Sequence, residues 1–535
     1  MNWLESISAD TADGKKKVRE YSYDNNGKVE VIKDYKNFTS EYIKREYTYD
    51  TFERPIKMVY SDGNEEKEVY EYTYDKNNHI VSEKIKNNYK IEGTETVDEV
   101  RNYDYDVNGR LIKSVVTNNK TDDVKESEYE YGKVGNKVKE SINDEVTTNI
   151  YNKLNQIVSS KTANDEETVS NRQFAYDNNC NQIKAVDDVK GTDLTYTYDA
   201  DNRISKVSGT SEKKAVSQEN LYNGDGKRIK KIEAGEEINY FYQNDSVLAT
   251  SDKKDKLTSY NIYGDGANVI STMRKTVSGG REYFTYNKDV RGSTSSIIDS
   301  QGTAQAIYYY DDFGNTTAKG NFQNEICYTG GIYDDTTGVY YLNARYYSPE
   351  DGNFMSQDTY RGEYTNPATL NFYGYCGGNP INYVDPSGHF YVRRWMIAKP
   401  INAVATFLGL GAAYQPFKMV IKESSKKISR KAVKRKIIGK AVKFVRKVKY
   451  KITKISIKIT DYIKKIPVIG KIIKKNLTVK YIRDKIYGAI KEQTIGRVIN
   501  HFIQNVDVYT SVGGFIAGGC DVYTDGRMNN RLWRI

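Results

Sequence analysis

Tyr103-Asp-Tyr105-Asp106-Val-Asn-Gly109-Arg110-Leu111 decides the fold class of this chain. Side chains at i and i+2 share one face of a strand, so Tyr103 and Tyr105 form a half-buried aromatic pair. Asp106, Asn108 and Gly109 supply the positive-φ turn that an antiparallel hairpin needs. The stretch that follows, Arg110-Leu-Ile-Lys-Ser-Val, alternates and forms the return strand.

The same unit recurs on both sides. It stands as Tyr21-Ser-Tyr23-Asp24, Tyr47-Thr-Tyr49-Asp50 and Tyr72-Thr-Tyr74-Asp75 before it. After it come Tyr129-Glu-Tyr131-Gly132, Tyr151, Phe174-Ala-Tyr176-Asp177, Tyr196-Thr-Tyr198-Asp199 and Tyr222-Asn-Gly-Asp-Gly. The second aromatic returns every 20 to 31 residues, the signature of a repeat architecture. Residues 1–327 are therefore expected to be mainly β, a series of antiparallel hairpins. From the repeats alone, an open sheet or solenoid that encloses nothing stands as the lesser alternative to a shell.

Charge divides the chain. Of 81 Lys+Arg and 71 Asp+Glu, 33 and 7 lie from Phe390 onward, a net of +26, leaving 48 and 64, a net of −16, before it. A basic tail of that density points to an anionic partner, a membrane or a nucleic acid. Cys180, Cys327, Cys376 and Cys520 are too scattered for a metal cluster or a disulfide framework. The start, MNWLESISADTADGKKK, has no basic-then-apolar signal pattern, and no run of about 18 apolar residues marks a spanning helix.

Between the two halves, residues 328–389 carry a different density of motifs. They include Gly338-Val-Tyr340-Tyr341-Leu342-Asn-Ala344-Arg345-Tyr346-Tyr347-Ser-Pro349, Gly352-Asn-Phe354-Met-Ser356-Gln357-Asp358 and Asn382-Tyr383-Val384-Asp385-Pro386-Ser387-Gly388. Two carboxyls sharing one site cannot both ionise cheaply, so one keeps a proton as acid while the other serves as base. A guanidinium can orient them or stabilise an oxyanion. Spacing alone favours a structural reading, in which Asp358 caps a turn, Asp385-Pro386 breaks a strand and Arg345 sits on a surface.

The repeats, with Tyr286-Asn-Lys-Asp289-Val-Arg-Gly292 and Tyr308-Tyr-Tyr310-Asp311-Asp-Phe313-Gly314, and this dense segment resemble the YD repeats and repeat-associated core of the Rhs (rearrangement hotspot) family, over roughly residues 20–389. That family includes polymorphic toxins and is related to toxin-complex C components and teneurins. The resemblance implies a YD shell around a C-terminal cargo. Here the shell is expected to be partial, its N-terminal portion missing or supplied by another polypeptide or a secretion-apparatus component. It further implies an intramolecular aspartyl protease built from Arg345, Asp358 and Asp385, cutting between His389 and Phe390, with no cofactor and no metal. His389 stands where the family usually has leucine. A cognate immunity protein, and secretion or surface display after synthesis in the cytoplasm, belong to the same expectation.

Residues 390–535 are expected to be a mainly α-helical basic effector. Val433, Ile437, Ala441, Phe444, Val448, Ile452, Ile455, Ile459, Tyr462 and Ile466 step by three and four with Lys and Arg between them. The alternation in KITKISIKIT leaves a strand open there. A membrane-active effector fits this helix and the Gly/Ala-rich pieces from Ile401 and Ser511. A nucleic-acid-directed one fits the charge, with His501 the single histidine after His389. A non-cleaving surface protein, whose YD repeats serve adhesion or carbohydrate binding, is the competing class.

Overall fold

The computed structural model describes residues 4–392 apart from 12–13, 93–95, 244–245, 265–267, 276–279, 363–366 and 390. The helical basic domain expected over 390–535 lies outside the described residues, save Tyr391 and Val392. Within them the chain is β: one 27-stranded sheet from Ser6–Thr11 to Thr316–Gly320, each strand antiparallel to its sequence neighbours, followed by a sheet of four short strands. No helix of the described residues is long and apolar enough to cross a membrane.

The turn chemistry is that expected, and it is more uniform than the sequence suggests. Asp106 Oδ1 accepts the backbone N–H of Asn108 and of Arg110, each at 2.9 Å. Asp50, Asp75, Asp177 and Asp199 do the same with the residues two and four positions on. Gly109 takes a φ of 78°, and the register slips by one residue at Asp104/Tyr105. That is a hairpin turn closed by a bulge.

The tyrosines do more than form a ladder. The second tyrosine of a unit donates its hydroxyl to the backbone carbonyl that opens the preceding return strand. Examples are Tyr49 to Val29 at 2.8 Å, Tyr74 to Pro55 at 2.7 Å, Tyr105 to Ile80 at 2.6 Å, Tyr198 to Gln182 at 2.9 Å and Tyr222 to Ile204 at 2.7 Å. Each staple ties one hairpin to the one before it. Where an arginine follows the turn, as Arg54, Arg110 and Arg203 do, its guanidinium pairs with its own turn aspartate. It also lies 4.6 to 4.8 Å from the ring of the next unit's tyrosine.

Late strands cross early ones. Tyr60 exchanges two 2.8 Å hydrogen bonds with the backbone of Lys288. Fully buried Glu68 accepts from Asn287, Ser295 and Ser296. The four-stranded sheet, Ile332–Asp334, Val339–Leu342, Arg345–Ser348 and Asn353–Phe354, packs its Val339, Tyr341 and Tyr346 on Leu194, Tyr196, Ile204 and Val216 of the large sheet. Its anchor is a fully buried ion pair, Arg228 with Asp334, at 2.5 and 2.9 Å. Beyond it, residues 371–383 are held by Tyr373 Oη to Cys180 O at 2.8 Å and by Ile80 N to Asn382 Oδ1 at 2.7 Å.

Candidate functional site

Three separate pieces of chain supply the site. Arg345 opens the third strand of the small sheet, Asp358 follows the fourth, and Asp385 ends the anchored segment 371–383 and its short extension. All three side chains are buried. Arg345 Nη2 lies 2.9 Å from Asp358 Oδ2 and 3.6 Å from Asp385 Oδ2, so one nitrogen joins both carboxyls. The guanidinium lies 3.5 Å from the centre of the Phe354 ring, and its Nη1 donates to Phe372 O at 2.9 Å. Asp358 N donates to that same carbonyl at 3.0 Å, and Tyr360 N donates to Asp358 Oδ1 at 2.9 Å. The Arg345 guanidinium and the Tyr360 N–H thus meet different oxygens of Asp358, which holds the carboxylate in one orientation.

Asp385 sits in a turn of the kind used throughout the wall. Its Oδ1 accepts the N–H four residues on, that of His389, at 3.1 Å, and the Ser387 hydroxyl at 3.2 Å. Gly388 takes a φ of 71° at the turn position where Gly109 takes 78°. A Cβ there would stand 2.6 Å from Leu342 O and 3.0 Å from Arg345 N, so only glycine lets the turn lie against the strand that carries Arg345. Further ties are Ala344 N to Ser387 O at 3.2 Å and Asn343 Nδ2 to Pro386 O at 3.0 Å. Val384 and Val392 exchange two backbone hydrogen bonds of 2.9 Å and close the loop between them.

Burial pushes the Asp385 carboxyl up to about 6; Arg345 pulls against this and the nearby Asp358 charge adds to it. Burial also lowers Arg345 from the usual arginine range, against the pull of both aspartates.

Two features were not read from the sequence. Arg345 Nε donates to the backbone carbonyl of Gly388, and the His389 ring places Nδ1 2.9 Å from Asp358 Oδ1. The recurring Asp-x-x-Gly spacing, read at Asp385, would have signalled the turn. Nothing in the sequence signals the carbonyl contact. His501 and Phe390 lie outside the described residues.

An arginine bracketed by two buried carboxyls beneath a turn, on a wall of Tyr-x-Tyr-Asp hairpins, defines a YD-repeat protein with a repeat-associated core. The teneurin YD-shell family matches residues 36–381, and the chain belongs to that family. Among curated relatives, tRNA3(Ser)-specific nuclease WapA of Bacillus spizizenii is 34% identical over 290 residues, covering 50% of this chain and 12% of the relative. The tRNA nuclease WapA of Bacillus subtilis is 33% identical over 290 residues, with the same coverages. The chain thus spans only about an eighth of either relative's length. A crystal structure of TcdB2-TccC3-TEV matches 70% of this chain and 24% of its own at 16% identity, with a TM-score of 0.30.

Proposed function

We propose that this chain is the C-terminal part of an Rhs-type polymorphic toxin whose core cuts its own backbone once, just past Asp385-Pro386-Ser387-Gly388, and frees a basic effector. The observation that carries the reading is Arg345 joining Asp358 and Asp385 while the Gly388–His389 turn runs across the same guanidinium. Asp385, with its raised carboxyl, is the proton donor, and Asp358, oriented by Arg345 and the Tyr360 N–H, is the base that takes a proton from water. Arg345 stabilises the oxyanion. Because acid, base and substrate belong to one chain, proximity replaces a substrate cleft and limits the reaction to one turnover.

The test is the full chain on a denaturing gel. Two pieces, of roughly 390 and 145 residues, are expected from the turn's position, and Asp358→Asn or Asp385→Asn should leave the chain whole. An uncut wild-type chain would favour the adhesion class instead.

The freed part carries the +26 charge, and membrane action is the first reading of it. The relatives named as tRNA nucleases favour nucleic acid as the second. Self-cleaved protein added to dye-loaded anionic vesicles and, separately, to tRNA and DNA decides between them, since leakage without degradation and degradation without leakage point opposite ways. An immunity protein, a partner completing the wall, and secretion or surface display belong to this proposal.

A further inference from the structure

Three positions before Asp385 the chain is fastened to the wall by a pair of buried asparagines. Asn379 Oδ1 accepts the backbone N–H and the side-chain Nδ2 of Asn382, at 3.1 and 2.9 Å, so each amide orients the other. Their remaining polar atoms go to the wall. Asn379 Nδ2 donates to Gly109 O at 2.5 Å, and Asn382 Oδ1 accepts from Ile80 N at 2.7 Å. Beside them, Gly378 O accepts from Tyr131 Oη at 3.2 Å. Ile381, between the asparagines, packs in one cluster with Ile80, Tyr103, Leu111 and Tyr129. Three successive hairpins thus hold one short stretch: Ile80 opens a return strand, Gly109 closes the next turn, and Tyr131 ends the Tyr-x-Tyr strand after that. A buried amide is costly unless its bonds are made, so the stretch 378–382 has one favourable seat.

Resting on the self-cleavage reading, we infer that Asn379 and Asn382 are positioning residues for the cut, seating Asp385 beside Arg345 and Asp358 only once the hairpins that bear Ile80, Gly109 and Tyr131 have folded. Among the described residues, neither asparagine bonds to Arg345, Asp358 or Asp385; both act through the chain between. That chain has little slack. Only Tyr383 and Val384 intervene, a reach of roughly 10 Å, and Val384 is fully buried and bonded through both backbone groups to Val392. The wall thereby times the reaction: with these hairpins unformed, Asp385 has no fixed place and proximity supplies nothing. The effector is freed after that part of the wall exists, not before.

Cleavage of the full chain, timed at pH 5 and pH 7 on denaturing gels, tests this with Asn382→Ala. The titratable and charged groups around Asp385 are Arg345, Asp358, Cys376 and His389, and the substitution alters none of them. A loosened Asp385 is less buried, so its carboxyl falls from about 6 towards the ordinary range and loses its proton at lower pH. Asn382→Ala should therefore cut about tenfold more slowly at pH 7 yet within about twofold of wild type at pH 5, the ratios for a carboxyl titrating about one pH unit lower. Tyr49→Phe removes a staple to Val29 O, between hairpins that bear none of these bonds, and should cut as wild type at both. Asn382→Ala at the wild-type rate, or slowed by one factor at both pH values, would overturn the inference and leave self-cleavage intact; an uncut wild type removes both. If Asn382→Ala does not fold, Tyr131→Phe, which keeps the ring and loses only the bond to Gly378, carries the test. Slowing greater at pH 7 supports the inference, and wild-type rates at both pH values sink it.

Discussion

Arg345 and Asp385 meet at 3.6 Å although forty positions separate them, and the same guanidinium nitrogen reaches Asp358 at 2.9 Å. Burial, helped by the neighbouring Asp358 charge and opposed by the shared cation, lets the Asp385 carboxyl hold a proton near neutrality.

Cleavage should slow as pH rises. In the proposed mechanism Asp385 is the donor, and its carboxyl, pushed up to about 6 chiefly by burial, is half protonated there. By pH 8 about 1% is protonated, so the rate should fall about 50-fold between the two. Cell-free synthesis at set pH, sampled on denaturing gels, measures it; a rate flat over this range would take Asp385 out of the donor role.

Arg345→Lys should cost about a hundredfold or more in cleavage rate, the usual effect of losing one preorganised oxyanion donor. A lysine ammonium lacks the planar fork that serves two carboxylates and a carbonyl together. Cleavage at the wild-type rate would show that charge alone suffices.

The tyrosine staples predict an asymmetry between neighbours in one repeat. Tyr74 donates to Pro55 O at 2.7 Å, so Tyr74→Phe should lower stability by about 1 kcal/mol. The buried Tyr72 hydroxyl has no hydrogen-bond partner among the described residues, so Tyr72→Phe should be neutral or stabilising. Midpoints of urea unfolding compare the two; equal losses would mean that the hydroxyls do not staple the hairpins.

Asp334 predicts acid sensitivity of the small sheet's anchor. Burial raises its carboxyl, but Arg228 and Lys231 outweigh this and hold it at about 2. A carboxyl depressed by folding adds stability that is present above its ordinary value near 3.8 and is lost as pH falls towards 2. The amount is about 2 kcal/mol. Asp334→Asn should unfold more easily than wild type at neutral pH and converge with it near pH 2. Arg228→Met, which removes the bidentate partner of a buried carboxylate, should cost about 3 kcal/mol at pH 7. Parallel acid curves for wild type and Asp334→Asn would count against the pair.

A −16 segment and a +26 segment attract, more strongly at low ionic strength. Raising salt should release the basic fragment from the cleaved protein on gel filtration. Co-elution unchanged across a wide salt range would mean that charge is not what retains it.

The hairpin series could be read in the sequence because its causes are local. Side-chain alternation has a period of two, and a turn aspartate bonds an N–H only four residues away, so Tyr103 to Leu111 contains its own instructions. The meeting of Arg345, Asp358 and Asp385 could not be read so. It depends on the Phe354 ring and the Phe372 carbonyl reaching Arg345 and on Gly388 lying against the strand of Leu342 and Arg345. The staples fell between these cases: tyrosine outnumbers phenylalanine 48 to 15, a signal that hydroxyls matter, but the carbonyl each one finds belongs to another hairpin. What the amino-acid order alone determined is the repeated strand and turn. What the tertiary structure decided is which backbone carbonyl faces the arginine and how deeply the Asp385 carboxyl is buried, because both follow from long-range packing and desolvation, not from neighbours in the chain.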